Sequence, residues 1–312
     1  MRKNINTEKI EGRLFNHKLE LKTVKNESSA NFGKEFIAGE IEIAVDEEGL
    51  NVIPVHYTYV TEMTSKGSKN ATFSVLKKII DAGKTWVADG KDAAMLVKAE
   101  PSLALNEFYK EDDSLVSAKR NEGGFLSFVN ELSPEEERNT FSIDMLITGV
   151  KTVEADEEKD VTEHVVLSGA FFNFKNELFP TELVVRNDAG MKYFESLGIS
   201  NAEPVYTKVW GRINCLTKTV VIKEESAFGA AAVKTTKRTS KEWVVTGTLN
   251  EAYDFGDEKV LTVDEVNKAS QDRQVYLAEL KKRRDEYNES KKSPAATGAA
   301  PSAPVKAGGF NF

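Results

Sequence analysis

The chain has 312 residues, of which 40% are apolar, and its formal net charge is −8 at pH 7. This length allows two domains with cores of their own, and the charge excludes a histone-like polycation. The single cysteine, Cys215, excludes an intramolecular disulfide, argues against a thiolate zinc site and indicates a reducing compartment. A polar start over Met1 to Lys9 and the lack of any run of about 20 apolar residues predict a soluble, cytoplasmic protein without a membrane segment.

The acidity is concentrated in one segment. Between Glu131 and Glu163 there are 11 acidic residues and 3 basic ones, whereas the rest of the chain holds 39 of each sign. The negative total therefore does not exclude a polyanion as partner, provided that the cations gather on one face.

Apolar periodicity in the first 130 residues predicts three strands, one helix and two further strands. The strands cover residues 10–24, 36–45, 50–60, 95–108 and 114–129. The period changes to helical spacing between Phe73 and Ile80, and Gly83 stands where that helix would end.

The same order returns in the second half of the chain. Strands are predicted over residues 141–153, 161–174, 178–185, 205–215, 217–223 and 241–248, with a helix after the third that Gly198 ends. Two like segments suggest duplication of one unit. Five strands with a helix between the third and fourth is the order of the OB-fold, a small Greek-key barrel.

We therefore predict a mainly β (α+β) protein with two OB-fold-like five-stranded barrels, each with one inserted helix. The predicted divisions are a first OB-like domain at 1–130, an acidic linker at 131–140, a second OB-like domain at 141–250, a C-terminal helix at 251–288 and a disordered tail at 289–312. The helix prediction depends on the capping box Thr262-Val-Asp-Glu265 and on the apolar stripe that follows it. The tail is rich in Ser, Pro, Ala and Gly, which bury too little apolar surface to fold.

Short pieces of the chain resemble the bacterial and phage single-stranded DNA-binding proteins. They are Ile10-Glu-Gly-Arg-Leu14, Tyr193-Phe-Glu-Ser-Leu-Gly198, Pro204-Val-Tyr206 and Val209-Trp-Gly-Arg-Ile213. The resemblance implies OB units that bind single-stranded DNA. Two features depart from that family: Phe312 ends the chain without the preceding acids, and two units in one chain leave the family's tetrameric state unsupported.

Candidate nucleic-acid-binding residues lie on the strand that begins at Val205. Alternation places Tyr206, Lys208, Trp210 and Arg212 on one face, where aromatic rings can stack on bases and cations can neutralise phosphates. The alternative for Trp210 is that it packs under the C-terminal helix.

Three further groups extend the predicted surface. The stretch 226–240 contains no acidic residue and is predicted to be a loop between the last two strands that grips the backbone, with the alternative of a merely solvated loop. Tyr57 and Tyr59 are predicted to form a platform in the first barrel, with the alternative of packing residues. The remaining candidates are Lys234, Lys237, Arg238 and Lys241 in or beside the loop, Lys77 and Lys78 near the platform, and Phe310 and Phe312 as partner-binding residues of the tail.

Together these features predict a non-enzymatic, sequence-tolerant protein that binds single-stranded DNA, with RNA as a further possibility, in replication or recombination. If the chain is phage-encoded, its compartment is the host cytoplasm, and replication or recombination proteins are the predicted partners of the tail. No cofactor is predicted, and no metal, because the three histidines lack ligand spacing. Two alternatives stay open: a β-rich virion structural or assembly protein without nucleic-acid binding, and an adaptor that works through the basic helix end at 281–284 and the two tail phenylalanines.

Overall fold

The computed structural model describes residues 4–156, 161–224 and 232–292, and within them the chain is mainly β with few helices. The strands are β1 Asn6–His17, β2 Glu20–Thr23, β3 Glu35–Ala44, β4 Val52–Thr61, β5 Leu96–Tyr109, β6 Leu115–Phe128, β7 Asn139–Val153, β8 His164–Phe172, β9 Leu178–Val185, β10 Val205–Glu224 and β11 Ala232–Thr248. The helices are α1 Ala71–Ala82, α2 Trp86–Asp89, α3 Asp188–Ser196 and α4 Val263–Lys292. The predicted mainly β character and the C-terminal helix are confirmed.

Strand pairing in the first half runs in a ring. β1 pairs with β3 and β5, β5 pairs with β6, β6 pairs in parallel with β4, and β4 pairs with β3. α1 follows β4 and begins at Asn70, whose side chain accepts a hydrogen bond from the Thr72 N–H. Phe73, Leu76 and Ile79 form its buried face, so the helix packs against the core of this ring.

The second half repeats this arrangement. β7 pairs with β8 and β10, β8 pairs with β9, β9 pairs in parallel with β11, and β11 pairs with β10. α3 follows the third strand of the set, as α1 does, and Asn187 caps it by accepting from the Gly190 N–H. The order of strands and the position of the parallel pair are therefore the same in both halves.

One strand belongs to both sets of pairings. Residues 6–10 of β1 pair with residues 143–139 of β7, and residues 10–13 pair with residues 99–96 of β5. A single buried apolar cluster accordingly contains residues of both halves, among them Ile10, Leu76, Ile143 and Phe194.

α4 lies against both halves. The predicted capping box forms, because the Glu265 N–H donates to Thr262 Oγ1 and the Thr262 N–H donates to Glu265 Oε2. Further along, Arg273 forms a buried ion pair with Glu107 of β5 at 2.5 Å and donates to the Leu178 carbonyl of β9 at 3.4 Å. The helix therefore fixes these two strands of different halves beside each other.

Two sequence-based expectations need correction or lie outside the structure. The stretch predicted as a basic loop is mostly strand, because β11 begins at Ala232 and pairs with β10. The partner-binding residues Phe310 and Phe312 lie outside the described residues. Among the described helices, none combines the length and apolar character needed to span a bilayer.

Candidate nucleic-acid interface

Strand β10 places the four predicted residues Tyr206, Lys208, Trp210 and Arg212 at alternate positions, opposite β7. Their exposure nevertheless differs: Tyr206 is fully buried, Lys208 and Arg212 are half-buried, and Trp210 is 38% exposed. A bulge at Trp210 and Gly211 shifts the pairing with β11 there. Only part of the predicted face is therefore open to a ligand.

The prediction that Tyr206 contacts nucleic acid is wrong. Its ring packs against the Tyr253 ring at 5.3 Å and lies in a buried cluster with Leu261 and Ala269. Its hydroxyl donates to Asn4 Oδ1 at 2.7 Å. The segment that leads into α4 covers this end of β10, so Tyr206 occupies the position under the helix that had been the alternative for Trp210.

Trp210 is 38% exposed, and its indole lies against the backbone of β11 at a glycine. A Cβ atom at Gly247 would approach Trp210 Cε2 and Nε1 to 2.6 Å, so only glycine lets the indole lie against β11. Lys208 Nζ lies 5.5 Å from the ring centroid. The pair offers a stacking surface beside a cation, the combination that binds successive bases and phosphates of a single strand.

Arg212 is engaged inside the protein. Its Nε donates to Asn139 Oδ1 at 2.6 Å and its Nη2 donates to the Glu135 carbonyl at 3.0 Å. Burial lowers the pKa of its guanidinium, although the carboxylates of Glu135 and Glu136 oppose this effect. Arg212 therefore ties β10 to the segment before β7, and it presents less of its charge to a ligand than the sequence pattern suggests.

Beyond Leu216, β10 and β11 continue as a long two-stranded hairpin, which we call the basic ribbon (residues 216–224 and 232–241). It contains one acid, Glu224, and six basic residues. The basic residues are Lys218, Lys223, Lys234, Lys237, Arg238 and Lys241.

The register of the basic ribbon places Lys218 directly opposite Arg238, and Thr219 opposite Lys237. Lys234, Lys237 and Arg238 lie on a strand and not in the loop that the sequence suggested. Residues 234–241 are all Lys, Arg, Thr or Ser, so they show no apolar period.

Lys241 lies at the root of the basic ribbon and faces the interior. Its Nζ is 5.1 Å from the buried Trp243 ring and donates to the Lys119 carbonyl of β6 at 3.4 Å. Burial lowers its pKa. The predicted role of Lys241 in gripping a backbone is therefore corrected to an anchoring role between the halves.

The first-half platform is also only partly present. Tyr57 is buried, which raises the pKa of its hydroxyl, and it has no face for a base. Tyr59 is 40% exposed and its ring lies 4.6 Å from that of Phe36. Lys77 forms an ion pair with Asp81 on α1, and Lys78 is exposed. No hydrogen bond, ion pair or ring contact of the described residues joins either lysine to Tyr59.

The outward surfaces of the second and third strands in each half offer less to a polyanion. In the first half, Glu40 of β3 already has two partners, because its carboxylate lies 3.0 Å from His56 Nε2 and 3.7 Å from Lys18 Nζ. In the second half Phe172 is fully buried, and Lys119 Nζ of the first half donates to the Glu182 carbonyl of β9 at 2.5 Å. The basic ribbon with Trp210 and Lys208 is therefore the surface best suited to nucleic acid.

Sequence reasoning missed three contributors to this surface: Gly247, Lys218 and Lys223. A glycine inside a strand is a sign of close approach by another group, and it could have drawn attention to Gly247. Lys218 lies an even number of residues after Lys208 and Trp210. A strand predicted to continue past residue 215 would therefore have included Lys218 in the same alternation.

Within residues 4–156, 161–224 and 232–292, no three His, Cys, Asp or Glu side chains come together in a way that could hold a metal ion.

Comparisons with known proteins show a structural likeness and a family. No curated protein sequence matches the chain. The fold is similar to the crystal structure of a deletion mutant of the single-stranded DNA binding protein from Thermus aquaticus, with a TM-score of 0.48 and 12% identity over 83% of this chain and 100% of that one. The YorF family model matches residues 4–283, which is most of the sequence. The chain therefore belongs to the YorF family.

Proposed function

We propose that this chain is a non-enzymatic protein that binds single-stranded DNA, built from two OB barrels fused in tandem. The support for the barrels is the ring of five pairings in each half, with a parallel pair between the third and fifth strands and a helix between the third and fourth. This is the order of the OB-fold. Its short chain connections and half-exposed strands provide surfaces for oligonucleotides.

The observation that carries the proposal is the partly exposed ring of Trp210, with Lys208 Nζ over it, on the strand that leads into the basic ribbon. In OB folds, the connection between the fourth and fifth strands is one of the elements that contact oligonucleotides. The basic ribbon is that connection in the second half. Stacking on an aromatic face tolerates any base, and duplex DNA hides its bases, so this surface favours single strands of any sequence.

The test is a titration of tryptophan fluorescence with oligo-dT, oligo-U and a duplex of equal length at low and high salt. We expect oligo-dT to quench the signal, the duplex to bind much more weakly, and the logarithm of the binding constant to fall with the logarithm of salt. If the five cations of the basic ribbon other than Lys241 contact phosphates, the slope would be about −3.5. Absence of oligo-dT binding at low salt contradicts the proposal, and the oligo-U arm decides between DNA and RNA.

We further propose that the protein coats single strands during replication or recombination in a phage-infected cell, and that Phe310 and Phe312 bind a protein partner. This is supported by the resemblance of residues 192–213 to phage and bacterial single-stranded DNA-binding proteins. Deletion of residues 293–312 should leave oligo-dT affinity unchanged and abolish the partner interaction. A replication assay with the deletion variant that runs at the full rate contradicts the role of the tail.

Self-assembly is the competing function, and one observation favours it. Within the described residues, the basic ribbon is a two-stranded hairpin. Beyond Arg212, its strands pair with the rest of the described chain only through the isolated β-bridge of Leu216 with Asn51. Unpaired strand edges can recruit another chain. Ordered oligomers that form without nucleic acid, in light scattering at rising protein concentration, would support assembly instead of strand binding.

A further inference from the structure

Two cations from separate elements contact one carboxylate in the first half, and a third cation lies beside them. The carboxylate is that of Glu47, in the turn between β3 and β4. Lys91 Nζ lies 2.9 Å from Glu47 Oε2 and also donates to the Glu47 carbonyl at 2.6 Å. Arg138 Nη1 lies 3.1 Å from Glu47 Oε1. Arg13 of β1 completes the group by donating to the Lys91 carbonyl at 3.3 Å.

Glu47 is the carboxylate that pairs with Lys91 and Arg138, although Glu48, Asp92 and Glu137 adjoin these residues in the chain. Arg13 Nε is buried and, among the described residues, has no hydrogen-bond partner. Arg138 follows three glutamates in the chain, yet its ion pair is with Glu47. Its side chain is 12% exposed and also donates to the Ser133 carbonyl at 2.6 Å and the Val45 carbonyl at 3.3 Å, so these bonds fix the guanidinium beside Glu47. The hydrogen bonds from Lys91 and Arg138 hold the pKa of Glu47 below its ordinary value, so the carboxylate stays charged. Glu47 itself is exposed to solvent at 44% of its side chain, where a competing anion can reach it.

An aromatic ring stands beside these cations. Lys91 Nζ lies 5.6 Å from the centroid of the Trp86 ring, which is half-buried. The centroid of the Phe15 ring lies 5.8 Å from that of Trp86, and a Cβ at Gly49 would approach the Trp86 ring to 3.2 Å. Trp86 is therefore held in place next to the cations, as Trp210 is held next to Lys208.

The turn that carries Glu47 is bonded to the start of the basic ribbon. The Thr217 N–H donates to the Leu50 carbonyl at 3.2 Å, and the Cys215 N–H donates to Asn51 Oδ1 at 2.8 Å. On its other side, Arg138 is followed directly by Asn139, which accepts from Arg212 of β10. The cation group and the basic ribbon are thus neighbours through two sets of contacts.

We propose that Lys91, Arg138 and Arg13 form a phosphate-binding site in which Glu47 occupies the place of a phosphate until the backbone of a bound strand displaces it. The proposal rests on single-strand binding at the basic ribbon and extends the path of the strand onto the first half. Trp86 then supplies a second stacking surface. Glu47 acts as an internal competitor that lowers affinity.

The experiment compares Glu47→Gln with Glu48→Gln in oligo-dT titrations at several salt concentrations. The two residues are adjacent, and both changes remove one negative charge, but only Glu47 has an ion pair among the described contacts. We expect Glu47→Gln to tighten binding at least about threefold beyond Glu48→Gln, the effect of one charge acting through water over roughly 7 Å. Lys91→Ala should weaken binding and reduce the salt slope by about 0.7, whereas Lys84→Ala should do neither.

Each outcome decides one question. If the wild-type chain does not bind oligo-dT, the proposed function fails. If it binds, but Glu47→Gln matches Glu48→Gln and Lys91→Ala matches Lys84→Ala, only the phosphate site fails. A comparison of inorganic phosphate with chloride at equal ionic strength tests whether the site takes free phosphate or the phosphates of a bound strand. A melting temperature of Glu47→Gln that rises with phosphate, without any gain in oligo-dT affinity, would assign the site to free phosphate and overturn the proposal for the strand.

Discussion

The last hairpin of the first half and that of the second half occupy the same place in the strand order but end differently. β5 and β6 are joined at residues 110–114, and this turn is acidic. Lys281 Nζ of α4 lies 2.9 Å from Asp113 Oδ2, and Arg284 pairs with the same carboxylate. β10 and β11 are longer and carry the basic ribbon, away from the cations at the end of α4.

The difference shows how one arrangement of strands can be used in two ways. In the first half, cations of α4 neutralise the acidic turn of the hairpin. The buried Arg273–Glu107 pair holds α4 against this hairpin. In the second half the cations belong to the hairpin itself, and the register sets no acidic residue opposite any of them. The first half therefore contributes stability through α4, and the second half carries the surface that we propose for a polyanion.

The largest effect is expected when the first hairpin is released from α4. Arg273→Ala leaves Glu107, whose side chain is 1% exposed, without its cation. Removal of one partner of a buried pair costs about 3–5 kcal/mol, so the free energy of unfolding in urea should fall by that amount. Oligo-dT affinity should stay close to that of the wild type.

Two variants control this prediction. Arg283→Ala removes an exposed cation of the same helix and should change stability by less than about 0.5 kcal/mol. The double variant Arg273→Met/Glu107→Leu removes both charges and should recover most of the loss. An equal loss in Arg273→Ala and Arg283→Ala would contradict the role of the buried pair.

The second effect concerns the cations of the basic ribbon. Changing Lys234, Lys237 and Arg238 together to Ala should weaken oligo-dT binding about 100-fold at low salt and reduce the salt slope by about 2. The matched triple variant replaces Lys281, Lys282 and Arg283 of α4. Because these helix cations already pair with Asp113, Glu286 and Glu279, their removal should leave the slope unchanged. A larger loss from the helix variant would favour an adaptor that binds through α4.

The third effect tests the stacking surface of the second half. Trp210→Ala should weaken binding by about 1–3 kcal/mol without changing the salt slope, since no cation is removed. Gly247→Ala should weaken binding too, because its Cβ displaces the indole from β11. Gly149→Ala is the control, as a Cβ there meets only ordinary contact at 3.9 Å. Full affinity in Trp210→Ala contradicts the stacking role.

The effect that is smallest when counted per pH unit tests where the two halves meet. Trp243 Nε1 donates to Glu8 Oε1 at 2.7 Å, and burial, only partly offset by that bond and by Lys241, raises the pKa of Glu8 to about 8. The folded state keeps a proton that the unfolded chain loses above pH 4.5. Unfolding free energy should therefore fall with rising pH between 4.5 and 8, by at most about 1.4 kcal/mol per pH unit.

Glu8→Gln should flatten this pH profile, measured by urea unfolding between about pH 5 and 9. Glu11 of the same strand is the control. Burial alone would raise the pKa of Glu11, but hydrogen bonds from Ser133 and Lys9 outweigh burial and lower it. The contribution of Glu11 to stability is therefore lost only as the pH falls below the ordinary value of 4.5. Glu11→Gln should leave the slope above about pH 5 as it is in the wild type. An unchanged profile in Glu8→Gln would contradict the proton on Glu8.

The strand order was predictable because it depends on local periodicity, whereas the exposure of single residues was not. Tyr206 and Trp210 have the same position in the alternation of β10, yet residues 250–262 cover the first and leave the second open. That cover comes from about fifty residues further along the chain, and nothing near Tyr206 signals it. Lys241 and Tyr57 were misjudged for the same reason, since each is buried by elements distant in sequence.

The extent of β11 was hidden for a different reason. After Ala232 and Val233, every residue up to Lys241 is Lys, Arg, Thr or Ser, so local signals favour a loop. Pairing with β10 defines them as strand, residue against residue from Ala232 to Lys241. Cross-strand pairing of this kind does not depend on an apolar face, and apolar periodicity does not detect it.

The sharing of β1 between the two sets of pairings has a consequence for experiments with fragments. A fragment that starts at residue 141 would lose the strand that covers the edge of β7 and the acceptor of the Trp243 indole. Such an uncovered edge invites aggregation. We therefore expect the whole chain to unfold in one cooperative transition, and a minimal binding fragment to need the first residues of the chain as well as the last strands.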